Sequence, residues 1–162
     1  MPMYAGDDQY LRAFDQIVPP IFEWFRPQAV VAQLGVDAHY SDPLTTLNLT
    51  LTGYFALVRR ILDLADKHSG SRLLALGGGG YNMMVVPTAW TGVLHILRGE
   101  PLPEYLPPYW VELFRNLTGY EPLCHPDIEM RIGPQTEQRI DKELSMTLLG
   151  LKDRMNVLHS LF

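Results

Sequence analysis

Cysteine is almost absent: Cys124 is the single one in 162 residues. That excludes an internal disulfide and a cysteine-rich zinc module, and it points to a reducing cytoplasm. Clustered positive charge is missing as well. Thirteen Lys and Arg against 18 Asp and Glu leave a net charge of −5, with no basic run of the kind that marks a nucleic-acid surface. The first residues, MPMYAGDDQY, have neither the basic nor the apolar region of a signal peptide. Long apolar runs are also lacking. Residues 73–97 carry no Asp, Glu, Lys or Arg and could span a bilayer by length. Four glycines and Pro87 interrupt them, and lipid does not tolerate so broken a hydrogen-bond ladder. No membrane partner is expected.

What is present suits one domain with a sizeable core, since 47% of the residues are hydrophobic. Tyr10, Leu11, Phe14, Ile17, Val18, Ile21, Phe22 and Phe25 recur at helical spacing. Asp7 and Asp8 stand where a cap and the helix dipole favour them. Pro19 and Pro20 predict a kink or split, and Pro27 an end. Residues 29–35, AVVAQLG, read as a buried strand. Residues 36–49 show no period and read as a loop. A helix follows, with Tyr54, Leu57, Val58, Ile61, Leu62 and Ala65 on one face and Ser69-Gly70 as its stop. Residues 72–76 give a second strand, the glycines follow, and Pro87 opens a third helix. A proline-rich connection leads to a short helix over residues 109–117 and then to irregular chain. Residues 135–162 read as an amphipathic helix, open to interruption at Gly150. Strand–helix–strand order implies two parallel strands joined by a right-handed crossover.

In such sheets ligands sit beyond the carboxyl ends of the strands. Two loops leave those ends. One carries Asp37, His39 and Asp42; the other carries Gly77 to Gly80 and then Tyr81. If the strands are neighbours, Asp42 and Tyr81 face one cleft. The glycines lack the lysine of a P-loop and the spacing of a dinucleotide fingerprint. A tight strand-to-helix connection stands beside a close backbone approach as their reading. The D-x-H-x-x-D of the first loop offers metal ligands, yet six residues rarely deliver three in tetrahedral array. One ligand from this loop, with others elsewhere, fits better. The bland readings make His39 an exposed loop residue, His68 a helix-end cation, His95 a packed side chain, and Trp24, Trp90 and Trp110 core. Cys124 and His125 are adjacent, but nothing orients one toward the other.

The stretches QLGVDAHYSDPLTTLNLTLTGY and LALGGGGYNMMVVPTAWTGVLHILRGEPLPEYLP, with the helix before them, resemble the C-terminal half of the zinc-dependent histone deacetylase superfamily. Within it they are most similar to the bacterial acetoin-utilisation deacetylases. The resemblance covers roughly residues 6–108. It implies an α/β fold of the arginase/deacetylase kind, a three-layer parallel sheet with flanking helices, present here as a partial domain. Residues 1–119 would be the C-terminal part of the deacetylase domain and residues 120–162 a helical tail. Carried over, Asp42 is a zinc ligand and Tyr81 the catalytic tyrosine, donating a hydrogen bond to the acetyl carbonyl as it becomes an oxyanion. Gly78, Gly79 and Gly80 let the backbone pass close to the acyl-lysine channel. Zinc polarises the same carbonyl and activates water.

The resemblance also implies an aspartate–x–histidine pair of zinc ligands and a general base from two adjacent histidines. This chain has no His-His pair, and its only D-x-H, Asp37 to His39, lies in the wrong loop for that motif. The expectation is therefore the C-terminal part of a deacetylase for N-acetyl-lysine in proteins, inactive alone. Its substrate would be an acetylated protein such as an acetyl-CoA synthetase, and its partner a complementing N-terminal part or a second copy. A non-catalytic binding or assembly module and a relative of acetylpolyamine amidohydrolases are the alternatives.

Overall fold

The computed structural model describes residues 1–122 and 132–159. Its order is α1 (Asp7–Phe25), β1 (Val30–Gln33), α2 (Leu51–Ser69), β2 (Leu73–Leu76), α3 (Val85–Leu97), α4 (Pro108–Thr118) and α5 (Pro134–His159). Strands β1 and β2 pair in parallel with Val30 opposite Leu73 and Gln33 opposite Leu76. The pairing runs on past both strands, where the Leu34 N–H donates to the Leu76 carbonyl at 2.8 Å and the Val36 N–H to the Gly79 carbonyl at 2.6 Å.

One face of this sheet is covered. Ala32, Leu34 and Val36 join Leu57 and Val58 of α2 and Val85, Ala89 and Val93 of α3 in one buried cluster. The Tyr54 hydroxyl donates to the Leu34 carbonyl at 2.8 Å, and burial pushes this phenol well above its ordinary pKa. Helix α1 lies on α2, and α5 lies on α1. Ile140, Leu144 and Leu148 of α5, four residues apart, are buried. On the other sheet face Val31, Leu74 and Leu76 are exposed. The described residues thus form a short parallel sheet with its helices stacked on one side, and the expected three-layer arrangement is not reached within them.

Helix α1 corrects the expected split and one further expectation. It runs unbroken through Pro19 and Pro20. Each proline removes one ladder bond, but α2 holds the helix on both sides of the pair. Arg60 grips Asp15 at 2.7 Å before it; Lys67 pairs with Glu23, and Phe22 meets the edge of His68, after it. Its end is as expected: Arg26 adopts a left-handed φ of 49°, its N–H returns to Phe22, and Pro27 follows.

The second correction concerns Asp7, which does not cap its own helix. Its carboxylate accepts the Thr50 N–H at 2.8 Å and the Thr50 hydroxyl at 2.6 Å. Thr50 in turn caps α2 by accepting the Gly53 N–H at 3.2 Å. The two helix starts are thereby one hydrogen-bonded unit. Helix α3 begins at Val85 rather than Pro87, and α5 passes through Gly150 without a break. No helix of the described residues is long and apolar enough to cross a membrane.

Asp7→Ala should lower the unfolding free energy by about 1.5–3 kcal/mol, the range for hydrogen bonds to a charged group. Urea denaturation checks this: the midpoint should fall with the m-value unchanged.

Candidate functional site

The parallel pairing brings the two loops onto one rim. The loop after β1 is held by its own backbone. The His39 N–H donates to Val36, the Asp42 N–H to His39, and residues 38–40 bridge to Leu49 through the Leu49 and Tyr40 N–H groups. These bonds turn Asp42 toward β2. Its carboxylate is buried and accepts two backbone donors: Leu44 N–H on Oδ1 and Tyr81 N–H on Oδ2, both at 2.9 Å. The two residues singled out from sequence therefore meet, 39 positions apart. The Tyr81 residue itself is 56% exposed, so its backbone is pinned while its phenol stays reachable.

The glycines are explained by what they touch within the chain. A Cβ on Gly79 would stand 2.3 Å from Oδ2 of Asp37, and Gly80 has a φ of +137° with Val86 and Val36 closing on it. Gly78 lies over the Gln33 side chain. Gly77 is roomier, with Trp90 at 3.8 Å. The loop is pressed onto the β1 loop, as a close backbone approach requires. Asp37 also faces Tyr10, whose phenol is pushed above its usual pKa by burial and then by that charge.

His39 departs from expectation. It is buried, not exposed, with its ring 4.4 Å from that of Tyr40 and Nδ1 2.9 Å from the Ser41 hydroxyl. His68 does lie at the end of α2, half-buried against Phe22 with Nε2 3.7 Å from Glu23. Nδ1 of His95 bonds the Pro101 carbonyl at 2.8 Å. Trp90 packs against the core, whereas Trp24 is partly exposed and Trp110 stacks on Phe114 instead. Cys124 and His125 lie outside the described residues. A cavity of about 340 Å³ opens between α2, α3 and the proline-rich connection, walled by Phe55, His95, Tyr105 and Trp110. Neither Asp42 nor Tyr81 lines it.

Two residues passed over in the sequence complete the rim. The Asn82 side chain donates to the Ser41 hydroxyl at 2.8 Å, and its Oδ1 accepts the Met84 N–H at 3.0 Å. That oxygen also lies 3.4 Å from the Val85 N–H, so it serves the turn that leads into α3.

Chemically, the rim offers an oriented carboxylate and an exposed phenol. Each Asp42 oxygen keeps a lone-pair direction beyond its backbone bond, so this carboxylate fits as one metal ligand. Catalytic zinc takes three protein ligands, and among the described residues no three His, Cys, Asp or Glu side chains gather. The described residues do not by themselves make a zinc site.

Residues 1–97 match the histone deacetylase domain. Three relatives named acetoin utilization protein AcuC are similar over longer stretches. The one from Staphylococcus xylosus is 38% identical over 161 residues, 96% of this chain and 40% of its own length. That from Staphylococcus aureus (strain MRSA252) is 36% identical over 118 residues, 72% of this chain and 30% of its own. The Bacillus subtilis protein is 35% identical over 109 residues, 67% and 28% respectively. The chain thus spans well under half the length of these curated relatives.

Gly79→Ala should destabilise the fold by about 1–3 kcal/mol, as overpacking does, because the new Cβ would meet the Asp37 carboxylate and stand 3.1 Å from the Asp37 Cβ. Gly77→Ala should stay within about 0.5 kcal/mol of the parent. Thermal unfolding of the two variants side by side decides whether contact, and not glycine content as such, sets this loop.

Proposed function

The chain belongs to the histone deacetylase family, and on that premise we propose that it carries the C-terminal part of a zinc-dependent deacetylase acting on N-acetyl-lysine in proteins. The observation that carries the reading is the hydrogen bond from the Tyr81 backbone to the Asp42 carboxylate. It joins the two motif residues at the carboxyl ends of parallel strands, where α/β folds place their ligands. In this reading the Tyr81 hydroxyl donates to the acetyl carbonyl oxygen. The donation strengthens as negative charge develops on that oxygen, so it lowers the barrier rather than merely binding substrate. Asp42 orients Tyr81 through one oxygen and serves as one zinc ligand. The remaining ligands and the general base come from outside the described residues. Gly78 to Gly80 form the wall past which the acyl-lysine enters. The deacetylase part extends over residues 1–119, and residues 120–162 form a tail.

A second reading, an assembly module, is favoured by the sheet. Val31, Leu74 and Leu76 are 64%, 54% and 43% exposed on one face, whereas parallel sheets are ordinarily covered on both. In the three-layer fold a further helical layer covers this face, and in the assembly reading a partner chain does.

The test grafts this chain in place of the matching stretch of the Staphylococcus xylosus relative, with that relative as control, and assays hydrolysis of an acetyl-lysine peptide. Tyr81→Phe should cut kcat by about 10²–10³-fold, the usual effect of losing one oxyanion donor, with zinc content unchanged. Asp42→Ala should lose zinc and activity together. Full activity in the Tyr81→Phe graft would remove Tyr81 from the mechanism.

A further inference from the structure

The Val36 N–H to Gly79 carbonyl bond joins the two loops upstream of Tyr81. Tyr81 reaches Asp42 by one backbone bond, and the exposure of its phenol leaves the ring little packing to fix its direction. A further tie lies one residue away on each strand of chain. Asn82 follows Tyr81, Ser41 precedes Asp42, and the Asn82 side-chain amide donates to the Ser41 hydroxyl at 2.8 Å and toward the Ser41 carbonyl at 3.4 Å.

Donor and acceptor accounting fixes how this tie is arranged. Oδ1 of Asn82 accepts N–H groups from Met84 at 3.0 Å and Val85 at 3.4 Å, so the NH₂ end must face Ser41. The Ser41 hydroxyl also lies 2.9 Å from Nδ1 of His39, so it stands between the Asn82 amide and the buried ring.

We infer that Asn82 and Ser41 form a clamp that positions Tyr81 for the reaction, by joining the start of α3 to the loop that carries Asp42. They are positioning residues: neither touches substrate, and both act through the direction they impose on the Tyr81 backbone. The clamp deepens the reading of Tyr81 as the hydrogen-bond donor and rests on it.

Amide hydrogen exchange in this chain tests the clamp. Asn82→Ser keeps a side-chain oxygen for the turn into α3 but is too short to reach Ser41. Ser41→Ala removes the acceptor and leaves that turn alone. Ser41→Thr retains the hydroxyl. The Tyr81 amide should exchange about tenfold faster in Asn82→Ser and in Ser41→Ala, as loss of one local hydrogen bond predicts. In Ser41→Thr it should exchange as in the parent, and the Val93 amide within α3 should be unaffected throughout. An unchanged Tyr81 amide in either loss variant, or one that accelerates only in step with Val93, overturns the clamp. Exchange is read without substrate. A fully active Tyr81→Phe graft would therefore sink the catalytic reading while leaving the clamp standing, and the reverse result would do the opposite.

Discussion

Everything at the site depends on the parallel pairing of Val30–Gln33 with Leu73–Leu76. Parallel strands end on the same side, so the chain that leaves each must turn on a common rim. An antiparallel pairing of the same strands would send Asp42 and Tyr81 to opposite ends. The pairing continues beyond the regular strands through Leu34 and Val36, and this extension draws the glycine loop down onto the Asp37–Asp42 loop. Side chains at Gly79 or Gly80 would hold the loops apart, by collision with Asp37 in one case and by an unfavourable backbone in the other. The glycines are thus the condition for the loops to meet, whatever else passes beside them.

The same logic explains the crowded polar bonding behind the rim. Loops pressed together exclude water from their backbone groups, and each buried donor then needs an acceptor inside the protein. Asp42 supplies two, for Leu44 and Tyr81. Asn82 supplies one oxygen to the start of α3 and spends its amide on Ser41. At the start of α2, Asp7 does the equivalent for Thr50. Short polar side chains with two functional ends recur wherever two element starts abut.

Much of this was legible in the sequence because it is local. The strand–helix–strand order, Ser69-Gly70 ending α2, and Pro27 closing α1 follow from residue types at neighbouring positions. The meeting of Asp42 and Tyr81 was legible too, since strand ends and parallel order are enough to imply it. What escaped is tertiary. Asp7 serves the helix 43 residues away rather than its own, and α1 runs on through two prolines with Arg60 and Lys67 of α2 paired to it on either side of them. A histidine in a polar loop reads as exposed until Tyr40 and Ser41 are known to enclose it. Nothing near Asn82 in the sequence names Ser41 as its partner.

The two backbone bonds to Asp42 bear on how such a residue would act. A free carboxylate rotates about χ2 with little preference, and a ligand must then bear the entropy of fixing it. With one N–H on each oxygen, the plane of this carboxylate is set by the fold. One of those donors belongs to Tyr81, so any displacement of the carboxylate is felt by the tyrosine backbone at once. The carboxylate and the tyrosine backbone are therefore tied, and the position of both is set by bonds the loops make to each other.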